Sequence, residues 1–206
     1  MDNNPDWTSV WAGSFGLPTK IHHFRVFSSY KKILDELNIK NPHIIELGCG
    51  TGELTARIMK RYGGTAALVD NNESAMKLAS ANFERHKLRF EFLKTDILKL
   101  KTKKKYDIVH SEGLIEHFSG NDQKEIIEAH RRCVSEKGFA LISVPRRIWY
   151  YDIWRGLAEK TGKWPFGDES PMDASELKSL LEQNRFSVKE YFNSGRWAFA
   201  LAAPAR

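Results

Sequence analysis

The chain has 206 residues, a formal net charge of +6, 41% hydrophobic and 28% charged residues. That length predicts a single domain, residues 1–206, with a core of its own, and the composition excludes a disordered chain. Two cysteines, Cys49 and Cys133, exclude a disulfide scaffold, and no Cys/His cluster has the spacing of structural zinc. The longest apolar run, Trp197 to Ala203, is too short to span a bilayer. The first ten residues lack both the basic and the apolar region of a secretory signal. The expectation is a cytoplasmic protein with no membrane span, a monomer or homodimer.

The positive charge is local. Lys99, Lys101, Lys103, Lys104 and Lys105 fall within seven residues and account for most of the excess. Such a run is ordinarily a solvated loop, and its functional alternative is a phosphate-tracking patch.

In chain order, residues 1–40 carry Trp7, Trp11, Phe15, Phe24, Phe27 and Tyr30. A helix is expected over Ser29–Leu37, burying Ile33, Leu34 and Leu37. Residues 44–47 form a short apolar strand that ends in glycines. A helix follows over Glu53–Tyr62, with Leu54, Ile58 and Tyr62 at helical spacing and Gly63-Gly64 as its stop. Strands are expected at 65–69, 88–93, 106–110 and 139–144, with helices at 74–86 and 122–135 between them. Residues 146–171 hold Trp149, Tyr150, Tyr151, Trp154, Trp164 and Phe166, too many aromatics for a plain connection. Asp173 is a plausible cap for a helix over 175–183. Strands at 187–192 and 197–203 close the chain around Asn193-Ser194-Gly195-Arg196. They lie too close together for a crossover and must pair antiparallel. The alternation predicts an α/β fold, a mostly parallel sheet with helices on both faces.

The sharpest feature is Glu46-Leu47-Gly48-Cys49-Gly50-Thr51-Gly52, between a strand and a helix. Glycines let the backbone turn tightly and let a ligand approach it, and the next helix offers free N–H groups. Asp70 ends the second strand and suits the two hydroxyls of a ribose. Asp96 follows the third strand and suits a ring-edge donor. A dinucleotide fingerprint needs a third glycine where Glu53 stands, and no Gly-Lys-Ser/Thr follows for a nucleotide triphosphate.

ELGCGTG, with Asp70, with Thr95-Asp96-Ile97 and with Tyr106 to His110 leading to Glu116-His117, resembles the class I S-adenosylmethionine-dependent methyltransferases. The resemblance is to the broad group that includes the ubiquinone- and menaquinone-biosynthesis-like and other small-molecule enzymes. It covers residues 40–145 with specific motifs and extends to the end by strand order. It implies a Rossmann-like seven-stranded sheet with an antiparallel C-terminal hairpin. It also implies that Gly48 and Gly50 cradle the amino-acid end of S-adenosylmethionine, with Glu46 organising the loop and the ammonium. Asp70 holds the ribose, Asn71 flanks the adenine, and Asp96 with Ile97 contacts it. Ser111 and Glu112, just past the fourth strand, line the methionine end. S-adenosylhomocysteine is the implied product. Residues 1–39 and 146–171 match loosely and are expected as an N-terminal helical cap and an aromatic substrate lid.

Methyl transfer from a sulfonium is an in-line displacement that asks chiefly for alignment and exclusion of water. His117 is the candidate catalytic base where the acceptor must lose a proton, with a local packing role as the alternative. Glu112 and Glu116 are candidates to orient that base or an amine. His110 and His130 read as core residues, Cys49 as a small loop side chain and Cys133 as part of an apolar stripe. His22 and His23 are adjacent, are expected to point apart, and make no metal site by themselves; no metal is implied. The leading function is methyl transfer to a small-molecule acceptor. The alternatives are an RNA methyltransferase using the lysine run with Arg131-Arg132 and Arg146-Arg147, and a non-catalytic cofactor-binding subunit.

Overall fold

The computed structural model describes residues 17–161, 164 and 169–205, without the side chains of 17–21, Tyr150 and Trp154. The expectations for Trp7, Trp11, Phe15 and Phe166, and for the side chains of Tyr150 and Trp154, lie outside the described residues. The elements are α1 (Leu17–Glu36), β1 (His43–Leu47), α2 (Glu53–Tyr62), β2 (Thr65–Asp70), α3 (Glu73–Arg85), β3 (Phe90–Lys94), β4 (Tyr106–Glu112), α4 (Gly120–Cys133), β5 (Val134–Pro145), α5 (Trp149–Lys160), α6 (Ala174–Gln183), β6 (Phe186–Ser194) and β7 (Trp197–Pro204). Single turns of 3₁₀ helix stand at Ile97–Lys99 and Ile115–His117.

One seven-stranded sheet runs β3-β2-β1-β4-β5-β7-β6. Pairing is parallel from β3 to β5, and β7 lies antiparallel to both β5 and β6. The chain steps outward from β1 to β3 and then returns to β4 on the other side of β1. The carboxyl ends of β1 and β4 therefore flank the point where strand order reverses, the crevice where open α/β sheets bind ligands.

Alternation along the strands splits the core. Ile44, Ala66, Leu68, Ile108 and Leu141 face α1, α2 and α3, where they meet Tyr30, Ile33, Leu34, Leu54, Ile58 and Phe83. Ile45, Ala67, Val69, Val109 and Ile142 face α4 and α6, where they meet Ile126, Ile127, Leu177 and Leu181. A sheet covered on both faces explains why these strands read as continuous apolar runs.

Several boundaries differ from the sequence reading. α1 begins twelve residues before the expected Ser29, because Pro18 sits in its first turn, where its missing N–H costs nothing. Leu37 falls just past the helix and is only partly buried. β4 runs two residues further than expected, so Ser111 and Glu112 belong to the strand and do not follow it. β5 begins at Val134, with an irregular register between Tyr106 and Ile108. Gly138 lies there so close to β4 that a Cβ would stand 2.7 Å from the Tyr106 carbonyl oxygen. Four of the six aromatics after β5, Trp149, Tyr150, Tyr151 and Trp154, fall in a helix, α5. The final turn is only Gly195-Arg196, with Gly195 at φ 57°, which matches the twist of a two-residue hairpin.

Tyr30 fastens α1 to the sheet. It is fully buried, and its hydroxyl lies 3.2 Å from the Ser111 carbonyl, 3.1 Å from the Leu141 carbonyl and 3.2 Å from Ser143 Oγ. Tyr30→Phe is expected to lower stability by about 1–3 kcal/mol, the usual cost of leaving buried acceptors without their donor. Denaturant unfolding measures it.

Candidate functional site

The loop after β1 is built on left-handed backbone. Gly48, Gly50 and Gly52 have φ of 70°, 49° and 64°. A Cβ on Gly48 would lie 2.9 Å from a Leu114 methyl, and one on Gly52 would lie 2.9 Å from the Phe83 ring, so close packing adds to the conformational demand. Gly48 N–H and Cys49 N–H both donate to the Val69 carbonyl at 2.9 and 3.0 Å. Gly50 N–H donates to Asp70 Oδ2 at 2.9 Å, and Asn72 N–H donates to Oδ1 at 2.9 Å. Asp70 thus holds the glycine loop and the start of α3 in one grip. Burial raises its carboxyl above the usual range, and the hydrogen bonds from the Asn72, Gly50 and Asn71 backbone work against that shift. A carboxylate has about four lone-pair sites, so these bonds leave room for a further donor.

The neighbouring side chains are spoken for in different ways. Asn72 caps α3 by accepting from Ser74 and Ala75 N–H, while Asn71 stands exposed. Asp96 accepts from Leu98 N–H at 3.0 Å and caps the short helix that buries Ile97. Glu46 is turned beneath the loop. Thr55 Oγ1 donates to Glu46 Oε2 at 2.7 Å, and His110 Nε2 lies 2.7 Å from the same hydroxyl. The Thr55 proton goes to the carboxylate, so His110 donates its Nε2–H to Thr55. Burial pushes the Glu46 carboxyl well above its ordinary value. Burial also pushes up the Cys49 thiol, which suits a packing side chain and not a nucleophile.

The end of β4 is held from the other face by His130. Its Nδ1–H donates to the Ile126 carbonyl at 2.8 Å, which leaves Nε2 to accept from Ser111 Oγ at 2.9 Å. The Ser111 hydroxyl is therefore directed into the core. Glu112 points the opposite way and meets α1. Its Oε1 is 2.5 Å from His22 Nε2, and its Oε2 is 3.8 Å from His23 Nδ1. The expectation that the two histidines point apart is corrected here. They lie about 100° apart around the helix, but each ring swings inward, one through Nε2 and the other through Nδ1, toward the carboxylate beneath. These imidazoles hold the Glu112 carboxyl far below its ordinary value against the opposing effect of burial. Burial alone would lower the His23 pKa, but the Glu112 carboxylate facing it raises it.

His117 ends the 3₁₀ turn, with Nε2 3.9 Å from Glu116 Oε1. Glu116 is 2% exposed, and neither carboxyl oxygen finds a hydrogen bond among the described residues. Burial raises it well above its ordinary value. Glu169, which the sequence reading did not single out, stands beside it and accepts from the Tyr151 hydroxyl at 2.5 Å. No local signal marks Glu169, which is one acid in a long connection. Two donor sets could thus hold a cation: His22, His23 and Glu112, and Glu116, His117 and Glu169.

Residues 44–138 match the methyltransferase-domain family. By that match, the sheet topology and the glycine-loop site, the chain is similar to the class I S-adenosylmethionine-dependent methyltransferases. S-adenosylmethionine is the cofactor of this class. Among its relatives, the ubiquinone biosynthesis O-methyltransferase of Pelagibacter ubique is 24% identical over 180 residues, 84% of this chain and 74% of that protein. The protein of the same description from Rickettsia bellii is 31% identical over 139 residues, 66% of this chain and 55% of that protein. The chain thus spans about half the length of the Rickettsia relatives. The fold is shared with 1,6-didemethyltoxoflavin-N1-methyltransferase of Burkholderia thailandensis (TM-score 0.76, 15% identity, 98% of this chain and 86% of that one). It is also shared with magnesium protoporphyrin IX methyltransferase of Synechocystis (TM-score 0.73, 17% identity, 94% and 90%). Among the described residues no helix is long and apolar enough to cross a membrane.

The buried histidines make stability depend on pH. Burial lowers His110 to about 3 and His130 to about 4. Between about 6.5 and those values the unfolded chain binds protons that the folded chain does not, so stability falls as pH falls through that window. Glu46 and Glu116, with raised values, act oppositely above about 4.5. His130→Gln is expected to remove about one proton from the acid-side slope. Thermal melts of both proteins between pH 7 and pH 4 measure the difference.

Proposed function

We propose that the protein transfers the methyl group of S-adenosylmethionine to a small-molecule acceptor. The observation that carries this reading is the Asp70 grip: one carboxylate binds the Gly50 amide and the Asn72 amide and keeps room for a further donor. The residues present fit the cofactor. The loop has no Cβ at Gly48 and Gly50, and a carboxylate stands at the end of the next strand. When bound, the cofactor supplies an electrophilic methyl on a sulfonium. The Gly48–Gly50 backbone carries its amino-acid end, and Glu46 supports the loop from beneath through Thr55. Asp70 accepts from the ribose hydroxyls, Asn71 flanks the adenine, and Asp96 with Ile97 meets its edge. The Ser111 backbone and the Glu112 side chain line the methionine end. His117 receives the acceptor's proton where one must leave, and Glu116 orients it. Residues 1–39 serve as a cap and 146–171 as a lid, within a single domain. Tyr151 and Trp164, whose rings meet edge to face at 5.8 Å, give that lid packing of its own.

The lysine run supports the small-molecule reading over an RNA substrate. Lys103, Lys104 and Lys105 stand at the amino end of β4, opposite the end that carries Glu112. Seven strand residues separate the two ends by roughly 20 Å. Lys104 is paired with Glu91 at 2.7 Å, and Lys105 donates to the Arg132 carbonyl.

Asp70→Ala is expected to weaken S-adenosylhomocysteine binding by about 100-fold or more, since each hydrogen bond to a charged group contributes about 1.5–3 kcal/mol. Calorimetry checks it, and affinity unchanged by the substitution would remove the basis of the site. Incubation with methyl-labelled S-adenosylmethionine and a cell extract split into metabolites, RNA and protein then tests the acceptor class. Label is expected in the metabolites; label confined to RNA or protein refutes the small-molecule assignment.

A further inference from the structure

The methyl-transfer reading assigns no role to the two histidines of α1, which meet Glu112 at the end of β4. We propose that His22, His23 and Glu112 bind a divalent cation of the late first-row transition series, with Zn2+ and Co2+ as its representatives. The ligands are His22 Nε2, His23 Nδ1 and a Glu112 carboxylate oxygen, all within 4.8 Å of one another. They come from two elements, α1 and β4, that are 90 residues apart in the chain.

Three observations carry the proposal. The donor set is two imidazoles and one carboxylate, which suits zinc, cobalt or nickel; magnesium and calcium take mostly oxygen ligands. The spacing brackets what such an ion needs. Metal–ligand bonds of about 2.0–2.2 Å place tetrahedral neighbours roughly 3.3 Å apart, and His22 Nε2 stands 2.5 Å from Oε1 and His23 Nδ1 3.8 Å from Oε2, each on its own oxygen of the one carboxylate. Small rotations of side chains equalise them. The third observation is His23 Nδ1 itself, which is buried and makes no hydrogen bond among the described residues. Glu112 Oε2, at 3.8 Å, is beyond hydrogen-bonding reach. An ion between them satisfies that nitrogen and both partners at once.

The surroundings hold the ligands in place. The His22 ring lies 5.0 Å from the Trp197 ring and 5.2 Å from that of His23. Glu112 is the last residue of a strand fixed from both faces. A bound ion ties α1 to the end of β4, and three protein ligands leave one coordination position for water or another oxygen donor.

The test uses the full chain, freed of metal by a chelator and titrated with Co2+. One equivalent is expected to give visible ligand-field absorption, and Zn2+ is expected to abolish it. His22→Ala and His23→Ala are each expected to weaken Co2+ binding at least tenfold. Both variants are expected to keep S-adenosylhomocysteine affinity by calorimetry, which reports folding and the cofactor pocket separately from the metal. In the unaltered chain, Zn2+ is expected to shift the ring nitrogen resonances of His22 and His23, a readout that needs no variant to fold. Absence of saturable Co2+ binding overturns the proposal. Binding that both variants retain overturns it as well, as do Zn2+ shifts at His117 in place of His22 and His23.

Discussion

The buried polar network of the molecule converges on one strand end, that of β4. β4 carries His110 and Ser111 on opposite faces, and each is bound by a helix on its own side. On one face Thr55 of α2 links His110 to Glu46 of β1; on the other His130 of α4 holds the Ser111 hydroxyl. Tyr30 of α1 adds a hydroxyl against the Ser111 carbonyl and the neighbouring strand. Buried polar groups of this kind stabilise only when their partners are in place, so the network specifies one arrangement of the helices and strands around β4. Its product is that Glu112 leaves the sheet at a fixed point.

A second constraint stands one strand away. Asp70 accepts from the glycine loop and from the start of α3, so the ends of β1 and β2 cannot move independently. The conformations that this loop adopts are open to glycine and strained for other residues, and close neighbours at Gly48 and Gly52 leave no room for a side chain. Preorganisation of the loop is therefore a property of backbone and packing together. Little adjustment remains when a ligand arrives.

The electrostatics of the crevice follow from the unequal partners of its enclosed carboxyls. Glu46 and Glu116 are enclosed, lack an ionic partner at close range, and are pushed toward their neutral forms. Glu112 is enclosed as well but lies against two imidazoles, which keep it ionised. The sheet edge thus sets two acids whose burial opposes ionisation against one whose imidazole neighbours favour it. Residue type alone assigns the same charge to all three.

By itself the sequence determined the architecture and the left-handed glycine loop after β1. The glycine loop with Asp70 and Asp96 at successive strand ends needs only local geometry, and helix α2 falls at Glu53–Tyr62, as its apolar spacing dictates. The terminal hairpin was legible because a short connection permits only antiparallel pairing. Tertiary structure decided what depends on distant chain segments meeting. The extension of β4 through Ser111 and Glu112 follows from pairing with β5, which extends as far as Ser143 opposite Glu112 and has no local signal. The direction of Glu46 depends on Thr55, and the joining of Glu169 to Glu116 depends on the path of a long connection. The convergence of His22 and His23 was hidden because adjacent helical residues point apart in projection. Only a carboxylate delivered from β4, 90 residues away in the chain, gives both rings the same target.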